Sequence, residues 1–209
     1  MYAPSGHGSR KYTGMRVIAG KYRSRPLRSL RGMDIRPTSD RLRETLFDVL
    51  PGGNPAALEG SVWIDLFAGT GAVGIEALSR GAKEVYFVDS SAPAADLIRK
   101  NLESLGIEKG FKLFQDEMLR AFWRMQREHV AADVVFLDPP YRLTTAYAET
   151  LRALADSSVI WAMSVVIAEH ERKFDPGDEC GPLRRFRKLV QGDAALSFYR
   201  MGRGSDVRG

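Results

Sequence analysis

The chain is poor in the residues that staple or metallate small proteins. Of its 209 residues one is cysteine, Cys180, and three are histidine, His7, His129 and His170. An intramolecular disulfide and a cysteine-rich zinc site are therefore excluded, and the histidines are too scattered for a metal triad. Cys180 lies in the turn-rich stretch 176–182 with no base beside it, so a nucleophilic role is not indicated. His170 reads as a surface or hydrogen-bonding residue. Long apolar runs are also missing. The longest, Val159 to Ala168, is about half of what a bilayer span needs and reads as a buried strand. With no secretory signal visible, the expectation is a cytoplasmic protein without a membrane or metal partner.

What remains is an ordinary globular composition, 44% hydrophobic and 27% charged, in a chain long enough for one core without staples. The net charge of +5 is unevenly spread: residues 1 to 50 carry eleven basic and four acidic side chains, or +7, which leaves −2 for the rest. A basic arm on a nearly neutral body suits contact with a polyanion, the alternative being a solvated tail. Three segments are expected: a disordered leader over 1–14, a basic hairpin and helix over 15–52, and a body over 53–209. In the arm, RVIAGKYRSRPL alternates apolar and basic residues around Gly20, which predicts a short hairpin or edge strand. Thr38 then suits a helix N-cap, and Leu42, Leu46, Val49 and Leu50 share one helical stripe ended by Pro51-Gly52-Gly53.

From about residue 60 short apolar runs alternate with longer helical segments, the pattern of a parallel sheet covered on both faces. Strands are predicted near 61–67, 84–88, 112–115, 133–137 and 159–168, with helices near 72–79, 93–105, 118–129 and 145–156. A closing antiparallel hairpin is expected over 184–190 and 195–201. The basic cluster Arg184, Arg185, Arg187 and Lys188 fits either a protected edge strand or a second polyanion contact.

Two segments carry chemistry. The first strand runs through Asp65 into Ala68-Gly69-Thr70-Gly71 and Gly74, spelling G-x-G-x-x-G, with Asp89 twenty residues after Gly69. That motif admits a nicotinamide or flavin dinucleotide. Asp65, however, would oppose a pyrophosphate on the helix N-terminus, whereas it suits the ammonium and sulfonium of S-adenosylmethionine, with Asp89 accepting from both ribose hydroxyls. Asp116, after the third strand, fits either an adenine amine or a helix N-cap. The fourth strand ends in Asp138-Pro139-Pro140-Tyr141. Two prolines hold the chain extended without N–H groups, so Asp138 and nearby carbonyls present acceptors suited to an exocyclic NH₂, and Tyr141 offers a stacking face.

The blocks Arg36-Pro-Thr-x-Asp-Arg-x-Arg-Glu-Thr-Leu-Phe47, Asp65-Leu-Phe-Ala-Gly-Thr-Gly-x-x-Gly-x-Glu-Ala-Leu-Ser-Arg-Gly81, Asp138-Pro-Pro-Tyr141 and Gly192-Asp-x-Ala-x-Ser-Phe-Tyr199 together resemble the RsmD-type 16S rRNA guanine-N2 methyltransferases, from about Met15 to Met201. The resemblance implies an α/β, Rossmann-like class I methyltransferase fold, with a seven-stranded, mostly parallel sheet, helices on both faces and an N-terminal β-hairpin extension. It makes 53–209 the methyltransferase domain and implies S-adenosylmethionine as methyl donor. Asp65, Ala68, Gly69, Thr70, Gly71, Asp89, Ser90 and Asp116 are then expected to bind it, with Thr38 near its methionine end. Asp138, Pro139, Pro140 and Tyr141 are expected to hold the base, and Lys21, Arg23, Arg25, Arg36, Arg41 and Arg43 the RNA. The partner implied is 16S rRNA, naked or within an assembly particle. An adenine-N6 methyltransferase, a dinucleotide oxidoreductase and a non-catalytic RNA-binding module remain as alternatives.

Overall fold

The apolar runs and amphipathic segments of the body pair and stack as their periods demand. The computed structural model describes residues 14–29, 37–50, 58–140 and 142–202. Residues 1–13 of the expected leader, Arg36, the Pro51-Gly52-Gly53 stop and Tyr141 lie outside them. The elements are α1 (Pro37–Val49), β1 (Val62–Leu66), α2 (Ala72–Ser79), β2 (Glu84–Val88), α3 (Ala92–Leu105), β3 (Phe111–Phe114), α4 (Met118–Arg127), β4 (Ala132–Leu137), α5 (Thr144–Ala155), β5 (Ile160–Glu171), β6 (Glu179–Cys180), β7 (Leu183–Gln191) and β8 (Ala194–Met201).

The described strands form one sheet of eight in the order β3-β2-β1-β4-β5-β8-β7-β6. The first five are mutually parallel, and β8, β7 and β6 add on antiparallel. The order reverses between β1 and β4, so loops leaving the carboxyl ends diverge there and open a crevice. The seven expected strands are present. The eighth is the two-residue β6, which lies inside the stretch expected to be a turn-rich loop and pairs with the start of β7.

Strand alternation sorts the core into two layers. On one face Trp63, Phe87, Phe136 and Ile167 pack with Ile75 of α2 and Ile98 and Leu102 of α3. On the other Ile64, Tyr86, Val135 and Val166 pack with Phe122 and Met125 of α4 and Tyr147 and Leu151 of α5. The arm and α1 contribute Val17, Leu27, Leu42, Leu46 and Phe47 to the first layer.

Two local expectations change. Thr38 does not cap α1: the helix begins one residue earlier, at Pro37, whose fixed φ and missing N–H suit a first-turn position. The arm does turn back on itself, but among the described residues its only antiparallel bridge is Arg16 with Pro26. Pro26 has no N–H to extend a ladder, and other amides of the arm are drawn to α2 instead. The backbone N–H groups of Ile18 and Ala19 donate to the buried Glu76 carboxylate at 2.7 and 2.9 Å, and those of Lys21 and Tyr22 donate to the Ser79 carbonyl and hydroxyl at 2.7 and 3.0 Å. Gly20 permits this seat, since a Cβ there would lie 1.9 Å from the Ser79 carbonyl oxygen.

Candidate active site

Four acids stand side by side where the strands end. Asp65 lies near the end of β1, and Asp89, Asp116 and Asp138 follow β2, β3 and β4, so in sheet order the rim reads Asp116, Asp89, Asp65, Asp138. β5 adds a fifth, Glu169. Leu137 of β4 pairs with Ala168 of β5, so Asp138 and Glu169 are the next residues on adjacent strands, which run about 4.8 Å apart. Sequence patterning gave no reason to single out Glu169, because it sits in a long strand with no motif around it. The Tyr147 hydroxyl holds its position by donating to the Glu169 carbonyl at 2.9 Å.

The glycine loop between β1 and α2 is built by these acids. Asp65 is buried and accepts from the Gly74 N–H at 2.9 Å. Asp89 accepts from the Gly69 N–H at 2.8 Å and the Ser91 N–H at 2.9 Å. The Ala68 N–H donates to the Val88 carbonyl at 3.0 Å and the Gly71 N–H to the Ala68 carbonyl at 2.7 Å. Gly74 brings α2 onto the sheet, since a Cβ there would lie 2.3 Å from the Phe87 ring. Phe67, immediately before the loop, has φ +57°, a left-handed conformation that costs a bulky residue free energy. Ser90 is exposed at the same rim. At Gly69 the nearest atom to an added Cβ is 3.8 Å away, so the loop backbone faces open space there.

Burial dominates the electrostatics. It pushes the Asp65 carboxyl up to about 8; the Gly74 N–H opposes the shift, while Asp138 and Asp89 add to it. Burial also pushes Asp138 up to about 7. Glu169 is raised well above the carboxylate range by burial and by Asp138, against the opposing charge of Arg43. Such a rim favours cations and N–H donors and disfavours phosphates. Among the described residues no group of histidine, cysteine and acidic side chains is arranged to hold a metal ion.

Asp138 differs from its neighbours in one respect. Its backbone N–H points to the Leu66 carbonyl at 3.5 Å, but among the described residues its carboxylate accepts no hydrogen bond. Pro139 is buried and Pro140 exposed, and the Pro140 carbonyl accepts from the Leu143 N–H at 2.7 Å, which ties the turn to the start of α5. Asp116 does not cap α4. The N-cap is Glu117, and among the described residues Asp116 accepts only from the adjacent Glu117 N–H at 3.1 Å, with Arg120 and Arg124 at 4.0 and 3.9 Å.

The basic residues of the arm separate into two kinds. Lys21, Arg23, Arg25 and Arg41 are exposed. Arg43 is not: it is 5% exposed and donates to the Arg16 carbonyl at 2.6 Å and to Asp40 at 2.9 Å, so it braces the arm from inside and cannot meet RNA at the surface. The stripe of Leu42, Leu46, Val49 and Leu50 left Arg43 facing elsewhere, so the helical period gave no signal for its burial. Asn101 is a second brace, fully buried, and was not anticipated. Its amide exchanges hydrogen bonds with the Arg28 N–H at 2.7 Å and carbonyl at 3.1 Å and also donates to the Thr70 carbonyl at 2.9 Å, linking arm and glycine loop. The Arg185 and Lys188 pair of the second basic cluster is held by Asp175, and Arg185 also by Asp178, so these charges serve the edge of the sheet. His170 is buried, with its ring nitrogens against the Glu171 carbonyl and the Ser197 hydroxyl, both at 2.9 Å.

The family model described as conserved hypothetical protein 95 matches residues 15–200. The chain is 33% identical over 158 residues to ribosomal RNA small subunit methyltransferase D of Haemophilus influenzae, covering 76% of this chain and 79% of that protein. It is 31% identical over 187 residues to the protein of the same name from Escherichia coli, covering 88% and 89%. A hypothetical protein of known structure from Thermus thermophilus superimposes with a TM-score of 0.73 at 26% identity, over 88% of this chain and 98% of that one.

Proposed function

Because the chain belongs to the conserved hypothetical protein 95 family, that of the RsmD-type methyltransferases, we propose that it methylates the exocyclic N2 amine of a guanine in 16S rRNA, with S-adenosylmethionine as donor. The observation that carries the reading is the Asp138 carboxylate, without a described donor, beside Glu169 on the neighbouring strand. The Watson–Crick edge of guanine offers two adjacent kinds of donor, the N2 amine and N1–H. Asp138 accepts from the first and Glu169 from the second. Adenine offers a donor at N6 but an acceptor at N1, which only a protonated Glu169 would meet, so an ionised Glu169 favours guanine and a protonated one tolerates the adenine-N6 alternative.

Residues of the rim fit the donor as well. The acids oppose a diphosphate, which argues against the dinucleotide oxidoreductase, and Asp65 suits a cationic methionine end. Asp89 is positioned for ribose hydroxyls and Asp116 for an adenine amine, with the backbone at Gly69 open for close approach. Bound S-adenosylmethionine supplies an electrophilic methyl group on a sulfonium. Asp138 draws on the N2 hydrogens and thereby aims the nitrogen lone pair at that carbon. Asp138 would accept the proton that N2 sheds as the methyl group leaves the bound donor and the C–S electron pair stays behind with it. Unstacking the base costs a few kcal/mol, offset in part by stacking on Tyr141. Lys21, Arg23, Arg25 and Arg41 contact phosphates, joined by Arg36.

The test is to incubate the purified protein with methyl-labelled S-adenosylmethionine and small-subunit rRNA from cells that lack it. Label at guanine N2 is expected. Label at adenine N6, or RNA binding without transfer, would select one of the alternatives.

A further inference from the structure

Helix α4 presents a face that neither the glycine loop nor the Asp138 turn uses. Its inner side, Ala121, Phe122 and Met125, is buried in the second core layer. Its outer side carries Trp123, 74% exposed, between Arg120 and Arg127 at the helical spacings i−3 and i+4. The helix has three arginines and no acidic residue. Arg120, its side chain 80% exposed, makes a long ion pair with Asp116 at 4.0 Å, and Arg127 has no ion-pair partner among the described residues. Arg124 is used otherwise, lying over the Phe114 ring at 4.2 Å.

A flat aromatic surface framed by exposed guanidinium groups, one of them held only by a long ion pair, matches a single nucleic-acid strand: a base stacks on the indole while the flanking phosphates meet the arginines. The helix starts two residues after Asp116, so this face begins at the same rim as the candidate active site. We propose that the outer face of α4, centred on Trp123 with Arg120 and Arg127, binds single-stranded RNA beside the target base. Trp161 and Met163 make the informative contrast. They are 46% and 72% exposed at the opposite end of the sheet, near the start of β5, and no basic residue lies between Ile160 and Glu171 apart from the buried His170. The inference rests on an RNA substrate but not on which base is modified.

The test uses the full chain and a single-stranded uridine 20-mer, since stacking tolerates any base. The oligomer should quench tryptophan fluorescence in the unaltered protein and in Trp161→Ala, but not in Trp123→Ala. Trp123→Ala should weaken its binding by about tenfold or more. Arg120→Ala with Arg127→Ala should flatten the dependence of log K on log salt by about 0.7 per lost phosphate contact, or ~1.4 for both. Affinity for S-adenosylmethionine, measured on each variant, should be unchanged and certifies folding. If both variants bind the 20-mer with unaltered affinity and salt slope, the proposal fails. If they do so while Trp123→Ala alters the sedimentation of the protein, the face is a contact between copies and the proposal fails equally. Mapping the methylated base tests the guanine-N2 reading separately, so the two can fail independently.

Discussion

The two halves of the rim treat their carboxylates in opposite ways. On the β1 and β2 side, Asp65 and Asp89 are engaged by backbone N–H groups of Gly74, Gly69 and Ser91, so the acids hold the loop in shape before any ligand arrives. On the β4 and β5 side, Asp138 lies next to Glu169 with no described donor, and both are raised by burial. A half that binds a donor molecule gains from a rigid cradle. A half that must draw on the hydrogens of an amine gains from acceptors not already satisfied by the protein.

This contrast can be broken at several points. The largest effect is expected from Asp138→Ala, which should lower turnover by about a thousandfold or more, comparable to losing a dominant electrostatic contact. Equilibrium binding of S-adenosylmethionine should survive in that variant, and its loss would place Asp138 on the wrong half. Asp65→Ala should act the other way round, weakening S-adenosylmethionine binding by about a hundredfold, because the acid that a bound cation would draw into its anionic form is gone and the Gly74 N–H is freed. Calorimetric titration would show it, and a normal affinity would mean that the glycine loop holds itself.

The pH dependence sharpens the same distinction. On the proposed mechanism Asp138 acts as an anion, and burial pushes its carboxyl up to about 7, so kcat/KM should rise about tenfold per pH unit below that value and level off above it. In Asp138→Asn the residual activity should lose this limb, because an amide oxygen still accepts but does not titrate. Stability moves in the opposite sense. An acid whose folded pKa is raised binds its proton more tightly in the native state, so its contribution is complete below the ordinary 3.8 and is lost as pH rises toward 7. The smallest effect is expected from Asn101→Ala, which removes the link from the arm to Thr70. It should cost about 1–3 kcal/mol of stability, read as a lower denaturant midpoint, and shift S-adenosylmethionine affinity by only a few-fold.

Local signals were enough for the architecture. Helix α2 falls on its predicted span of 72–79, and β2 on 84–88, because each is a short apolar run bounded by glycine, proline or charge. The glycine spacing and the Asp-Pro-Pro turn were legible for the same reason: each is contiguous in the chain. Arg43 shows where that reasoning stops. As one more cation in a basic arm it resembles Arg41, two residues away, yet one is exposed and the other is buried against the Arg16 carbonyl and Asp40.

By itself the amino-acid order determined the alternation of strands and helices, the loop with its acid, and the extended turn after β4, all of which follow from neighbours within a few residues. Only the tertiary structure decided that Glu169 stands beside Asp138, that Glu76 and Asn101 hold the arm, and that Trp123 faces outward between arginines. The first two depend on strand register and on contacts between segments more than fifty residues apart, and the third on which side of α4 the sheet covers. No local pattern encodes those choices, because they are set by how whole layers bury their apolar faces.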